Sequence, residues 1–194
     1  IAGSEPAFAE RMNQEAKRLG LTGSNFTNAT GLSDPQHYAT ANDLGRLAAA
    51  LIREFPDNYP LYALKEFRYN NITQPNRNRL LWIDPYVDGV KTGHTDAAGW
   101  CLIASAKRGE RRLLTVVLGA ASDAARTTES QKLLNYGFQA FDTVQLYQAG
   151  KPVSSLRVWK GAETEVPAGF LADRYLTLPK GKAAKLELTL AATE

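Results

Sequence analysis

A short polar stretch at the end of a predicted strand contains residue types that could bind a carboxylate. Lys91 supplies a positive charge, Thr92 supplies a hydroxyl donor, and Gly93 lets a ligand backbone approach closely. A strand at the edge of a sheet also offers free N–H and C=O groups to an extended peptide. These residues alone leave a second interpretation open, in which an exposed lysine ends a strand and a glycine begins the turn after it.

The strands around this tripeptide are predicted from apolar patterning. A strand over residues 87–92 carries the tripeptide, and apolar strands over 99–106 and 112–118 form a hairpin through the turn at 107–110. Such long apolar runs are typical of strands in the middle of a sheet that is covered on both faces. A helix over about 123–141 follows. The side chains expected to face inward on this helix are Leu133, Leu134, Phe138 and Phe141.

Two helices are predicted upstream of the strands, and a long loop joins them. Ser4 caps the first helix, which Gly20 ends, and Thr40 caps the second, which ends at Phe55 and Pro56. The loop between them, 21–38, is rich in turn residues and includes a possible short strand at 24–27. A loop of that length often carries function, and a plain connector remains the alternative.

Composition excludes several classes of protein. The 194 residues include 23 Lys and Arg against 20 Asp and Glu, which gives a net charge of +3 without any basic block, so a nucleic-acid partner is not expected. With 44% hydrophobic and 22% charged residues the chain is typical of a globular protein. A single cysteine, Cys101, excludes an internal disulfide framework. Two histidines, His37 and His94, argue against a multi-histidine metal site, and no cofactor is implied.

The residue pattern of the sequence changes near residue 143. Short alternating runs at 155–159, 175–178 and 186–190 are punctuated by Gly, Pro and Lys, which favours a small β-rich domain. The sequence therefore predicts two domains, 1–143 and 144–194.

The tripeptide belongs to a longer block that resembles a known family. Residues 88–95 read Asp-Gly-Val-Lys-Thr-Gly-His-Thr, and Lys-Thr-Gly is a signature of penicillin-binding proteins and class A β-lactamases. With this block, the chain resembles low-molecular-weight penicillin-binding proteins of the D-alanyl-D-alanine carboxypeptidase type, which are serine peptidases that trim peptidoglycan stem peptides. Further matching segments are Ala-Gly-Ser-Glu at 2–5, Asn-Ala-Thr-Gly-Leu at 28–32, Tyr-Ala-Thr-Ala-Asn-Asp at 38–43 and Asn-Arg-Asn at 76–78.

The resemblance implies an α+β fold. Residues 1–143 would form part of a penicillin-binding transpeptidase/β-lactamase-like domain, with helices around an antiparallel sheet, and 144–194 would begin a small all-β domain. Two family motifs are absent, since no serine is followed by Lys at the third position or by Asn at the second. In the family both motifs precede the Ala-Gly-Ser-Glu helix, and Ile1 is not a start residue. We therefore expect the nucleophile in an N-terminal segment outside this chain. Without that segment, the chain is expected to be inactive.

The resemblance also assigns roles to five residues. Lys91 would stabilise charge near the terminal carboxylate of the substrate and near the serine–lysine pair, Thr92 would donate to that carboxylate, and Gly93 would admit the substrate backbone. The backbone N–H of His94 would complete an oxyanion hole. Arg126 would face the carboxylate, and the residues alone also allow a surface position for it at the start of a helix.

The function implied by the resemblance is removal of the terminal D-alanine from peptidoglycan pentapeptides through an acyl-enzyme, with β-lactam binding by the same acylation. The location implied is the periplasm or cell envelope, with any inner-membrane anchor beyond residue 194. The alternatives are a D,D-endopeptidase or class A β-lactamase of the same fold, and a non-catalytic peptidoglycan-binding scaffold.

Overall fold

A computed structural model describes residues 1–182 of the chain. It divides the chain into two compact units, Ile1–Asn135 and Tyr136–Glu194, and the division falls within the last long helix. The described residues combine helices with antiparallel strands, so the predicted α+β class is confirmed. The domain boundary between 143 and 144 stays a prediction.

Side-chain caps begin the first two helices as predicted. Helix α1, Glu5–Arg18, starts where the Ser4 hydroxyl accepts a hydrogen bond from the Ala7 N–H at 3.3 Å. Helix α2, Ala41–Glu54, starts where the Thr40 hydroxyl accepts from the Asp43 N–H at 3.1 Å.

The segment between α1 and α2 forms no regular strand, so the strand considered at 24–27 is wrong. Asn25 and Tyr38 make only an isolated bridge. The polar groups beside Asn25 bind side chains instead: the Phe26 N–H donates to Asn13 at 2.8 Å, and the Ser24 hydroxyl donates to Asp43 at 2.7 Å. These hydrogen bonds give polar groups of the segment partners without a neighbouring strand.

An antiparallel sheet of three strands forms the centre of the first unit. Strands β3, Val87–Thr95, β4, Gly99–Arg108, and β5, Arg111–Ala120, lie in the order β3-β4-β5. Within the described residues β3 is therefore an edge strand. Because β4 pairs with one side of β3 only, alternate N–H and C=O groups of β3 point away from the sheet.

A segment of short elements between α2 and β3 leads the chain to this sheet. It contains a 3₁₀ helix, Tyr59–Ala63, a hairpin of β1, Glu66–Tyr69, with β2, Ile72–Pro75, and a short helix α3, Leu80–Ile83. The buried Asn78 fixes the segment, since its Nδ2 donates to the Gly89 carbonyl at 2.9 Å and its Oδ1 accepts from the Leu80 N–H at 3.2 Å.

Helix α4, Asp123–Ala140, follows the sheet, and two of its four predicted inward residues are wrong, since Phe141 lies beyond the end of the helix and Leu133 is exposed. Leu134 is fully buried, whereas Leu133 is 47% exposed. Adjacent helical residues differ by about 100° around the axis, so both cannot face the same layer. The buried positions of α4 instead follow the helical period. They are Arg126, Thr127, Ser130 and Leu134.

In the second unit the described residues after α4 form paired strands, which confirms the predicted β-rich region. Strand β6, Phe141–Tyr147, pairs with β9, Arg174–Pro179, and β7, Pro152–Arg157, pairs with β8, Glu165–Gly169. The runs at 155–159 and 175–178 overlap β7 and β9. Strands β6 and β8 were not predicted, and the strand expected at 186–190 lies outside the described residues.

A partly buried polar cluster holds the start of β3. Arg112 donates to Asp88 at 2.7 Å and to the Ser105 hydroxyl at 2.6 Å, and the Tyr59 hydroxyl donates to Asp88 at 3.1 Å. Tyr59 is only 6% exposed, and its ring lies under Gly89, where a Cβ atom would fall 2.5 Å from the phenol oxygen. Burial, with the neighbouring Asp88 carboxylate, raises the pKa of Tyr59 to about 12.

This raised pKa predicts a loss of stability at high pH. The unfolded chain releases the phenol proton near its ordinary pKa of 10.0, and the folded chain releases it only near 12. The contribution of Tyr59 to the free energy of unfolding is therefore complete below pH 10. As the pH rises toward 12 this contribution, about 2–3 kcal/mol, is lost. Phenolate absorbance is titrated against pH in the wild type and in Tyr59→Phe. The difference between the two curves should correspond to one tyrosine with a midpoint near pH 12. A difference with a midpoint near 10 would contradict the prediction.

Candidate active site

A cavity of about 500 Å³ lies beside the end of strand β3. Its walls come from three places: the β3–β4 hairpin, the start of α4, and the segment between β2 and α3. The residues that line it are Pro75, Asn76, Arg77, Arg79, Thr92, Gly93, His94, Trp100, Asp123 and Arg126. We call it the motif cavity, because it contains three of the four residues of the Lys-Thr-Gly-His sequence.

Strand alternation divides the motif between the two faces of the sheet. Thr92 and His94 point to one face, where His94 pairs with Trp100 and their rings stack at 3.9 Å between centroids. Arg126 of α4 lies on the same face, with its guanidinium 5.0 Å from the centre of the Trp100 ring. Helix α4 and the β3–β4 hairpin therefore line the same side of the motif cavity, and His94 lies on that side.

Lys91 lies on the opposite face and does not line the motif cavity. It pairs across the sheet with Ile103, which pairs with Val116, and Val116 lies against Gly45 of α2. The Lys91 side chain is exposed, and its ammonium donates to the Thr92 carbonyl at 2.6 Å. The structure therefore brings Thr92, Gly93, His94 and Arg126 together and places the lysine charge on the other side of the same edge strand.

Arg126 is buried, so the surface position considered for it is wrong. It is 3% exposed, and its Nη1 donates to the carbonyls of Gly93 at 2.9 Å and Cys101 at 3.1 Å. Its Nε donates to Asp123 at 2.9 Å, and Nη2 reaches the same carboxylate. Arg126 thus joins the start of α4 to the strand that carries the motif while it contributes charge to the cavity.

Two further arginines line the cavity and were not identified from the sequence. Arg79 lies 3.5 Å from Asp123, and its side chain is 63% exposed. Arg77 is exposed and forms no hydrogen bond or ion pair within residues 1–182. Three arginines against one aspartate make the cavity cationic, so it suits an anion such as a carboxylate. The Asn-Arg-Asn segment at 76–78 was the available signal, since it was among the family matches.

The long loop before α2 also contributes to this end of the sheet. A second cavity of about 410 Å³ lies between the loop and the β3–β4 turn, and its lining includes Leu32, His37 and Thr95. His37 itself has a structural contact, because its Nδ1 accepts from the Thr27 N–H at 3.2 Å. The loop therefore does more than connect two helices: it forms one side of a depression next to the motif strand.

No metal site accompanies these cavities in the described part of the chain. Within residues 1–182, no three His, Cys, Asp or Glu side chains group in a way that could hold a metal ion. The chemistry available is that of a cationic binding site beside an edge strand.

Comparison with known proteins identifies the family. Residues 1–122 match the family described as D-alanyl-D-alanine carboxypeptidase, and residues 141–192 match the C-terminal domain of penicillin-binding protein 5. The chain belongs to the D-alanyl-D-alanine carboxypeptidase family. The resemblance found in the sequence is thus confirmed.

Individual members of this family are similar over nearly the whole chain. The chain is 43% identical to D-alanyl-D-alanine carboxypeptidase DacA of Haemophilus influenzae, over 96% of the chain and 48% of that relative. It is 44% identical to DacC of Escherichia coli, over 100% of the chain and 49% of that relative. The crystal structure of penicillin-binding protein 5 from Haemophilus influenzae superposes with a TM-score of 0.90 at 44% identity, covering 95% of this chain and 54% of that one.

The chain spans about half the length of the curated carboxypeptidases it matches. Among the helices of residues 1–182, none combines the length and the hydropathy needed to cross a membrane.

Proposed function

We propose that this chain is the carboxylate-binding part of a serine-type D-Ala-D-Ala carboxypeptidase. Such an enzyme removes the terminal D-alanine from peptidoglycan pentapeptides. The serine and lysine of the nucleophile motif belong to a segment outside this chain. β-Lactams bind because they acylate the same serine.

The observation that carries this proposal is the position of the intact Lys-Thr-Gly-His sequence on an edge strand beside a cationic cavity. A peptide that ends in a free carboxylate can pair with the outward N–H and C=O groups of β3 while its carboxylate enters the cavity. The donors available there are the Thr92 hydroxyl and the guanidinium groups of Arg77 and Arg79. Arg126 already uses most of its N–H groups on Gly93, Cys101 and Asp123.

The remaining roles follow from the chemistry of acyl transfer. The serine oxygen attacks the carbonyl between the two D-alanines, the terminal D-alanine leaves, and water hydrolyses the acyl-enzyme. In the proposed site the backbone N–H of His94 stabilises the developing oxyanion, and Trp100 holds the His94 ring by stacking. We assign Lys91, which lies on the other face of β3, the stabilisation of negative charge near the serine.

Two other functions are less well supported, and a third would use the same site. A class A β-lactamase does not account for the match to the C-terminal domain of penicillin-binding protein 5. A non-catalytic scaffold does not account for an intact motif in a chain whose similar relatives carry the name carboxypeptidase. A D,D-endopeptidase would use the same site on a cross-linked peptide. The location we propose is the cell envelope, where the substrate is.

Acylation by a fluorescent penicillin tests the proposed function. The 194-residue chain alone is expected to remain unlabelled, because none of its serines belongs to a Ser-x-x-Lys motif. The full-length protein is expected to gain one covalent adduct per molecule on a serine outside this chain, detected by denaturing gel and peptide mass spectrometry. A stoichiometric adduct on a serine within residues 1–194, or no adduct on the full-length protein, would overturn the proposal.

A further inference from the structure

A second cavity adjoins the motif cavity on the side of helix α3. It has a volume of about 590 Å³ and shares Pro75, Asn76 and Arg79 with the motif cavity as a common wall. Helix α4 also runs from one to the other, since Asp123 lines the motif cavity and Ala124 lines the second. The two cavities are therefore consecutive compartments along one surface.

The second cavity differs from the first in chemistry. Its apolar lining comes from Pro75, Trp82, Ile83 and Ala124, and its polar lining includes Thr127 and Thr128. Trp82 is 49% exposed and Ile83 is 53% exposed, although both belong to the short helix that packs Leu80 and Leu81 into the core. We call this compartment the tryptophan cavity. Exposed indole and branched aliphatic surface favours an apolar or long aliphatic ligand group.

We propose that the tryptophan cavity binds the side chain of the residue that leaves in the reaction, when that side chain is larger than the methyl group of alanine. The inference rests on the proposed function, in which the motif cavity holds the terminal carboxylate. The α-carbon next to that carboxylate carries the side chain, and an extended side chain can pass Arg79 into the adjoining compartment. The substrate class is therefore peptides that end in D-Ala-D-Xaa with a long aliphatic Xaa.

The test compares two peptide series in the full-length protein. Release of the last residue is measured for otherwise identical peptides that end in D-Ala-D-Ala or in D-Ala-D-Leu. Trp82→Ala removes apolar wall, and Ala124→Leu fills the cavity with a residue that helices accept. Each variant is expected to lower kcat/KM for the D-Leu peptide about tenfold while changing the D-Ala peptide less than twofold, because a few methylene contacts are worth that much discrimination. Trp159→Ala, which truncates a tryptophan that is 75% exposed in the second unit, is the matched control.

A binding measurement separates failure of this inference from failure of the proposed function. Free D-leucine, the product of the test peptide, is titrated while the indole N–H resonance assigned to Trp82 is followed by NMR. A shift with D-leucine that D-alanine does not cause, and that Ala124→Leu removes, supports the cavity assignment even in a protein that releases no residue. Equal effects of the variants on both peptides, or a Trp82 resonance that D-leucine leaves unmoved, would overturn the inference.

Discussion

Lys91→Ala in the full-length protein is expected to reduce D-alanine release by about 10²–10³-fold and to leave the fold intact. A positive charge that stabilises a transition state is worth about 3–4 kcal/mol when it is removed. Folding is spared because the side chain is exposed and its hydrogen bond goes to the Thr92 carbonyl of its own strand. Turnover of a D-Ala-D-Ala peptide and thermal unfolding, measured on the same preparation, check both parts.

Lys107→Ala provides the matched control for this prediction. Lys107 is also an exposed lysine of the central sheet, at the far end of β4 from the motif. The control is expected to keep full activity. A loss of activity confined to Lys91→Ala would then come from the location of this lysine and not from the removal of one positive charge. Equal turnover by Lys91→Ala and the wild type would refute the role assigned to the motif lysine.

The elements around the site were predictable because their signals are local. Ser4 and Thr40 cap helices through their own side chains, and the apolar strands of the hairpin are bounded by turn residues. Leu133 was misplaced because an apolar residue next to the buried Leu134 carries no local sign of which one faces the sheet. That choice is made by the packing of α4 against the rest of the unit, to which Arg126 and Asn135 of the same helix are hydrogen-bonded.

The composition of the site was less predictable than its motif. The Lys-Thr-Gly-His sequence located the strand, but register determines that Trp100 lies opposite His94, and alternation places Lys91 on the other face. Charge alone could not single out Arg77, because it is one of 23 basic residues. Its place in the cavity depends on folding, which brings the segment before α3 next to the β3–β4 hairpin and the start of α4. The buried position of Arg126 also depends on contacts with two separate strands.

Arg126→Ala is expected to lower the free energy of unfolding by about 3 kcal/mol. Removal of the guanidinium leaves the carbonyls of Gly93 and Cys101 without their donor and deprives Asp123 of its closer partner. Arg79, 3.5 Å from Asp123, offsets part of the loss. Arg126→Lys should recover only part of the stability, since a single ammonium cannot reach three acceptors at once. Urea unfolding measures the change, with Arg53→Ala, an exposed arginine of α2, as a control within about 0.5 kcal/mol of wild type.

A second readout decides whether Arg126 also recognises the substrate carboxylate, as the resemblance implies. The full-length variant, kept well below its unfolding temperature, is given peptides with a free or an amidated C-terminus. A charge-assisted hydrogen bond is worth about 1.5–3 kcal/mol, so its loss should reduce the preference for the free carboxylate by at least about tenfold. If the preference is unchanged while stability falls, Arg126 acts only as a positioning residue that holds Gly93 and the end of β3. In that case carboxylate recognition depends on the two exposed arginines of the motif cavity, Arg77 and Arg79.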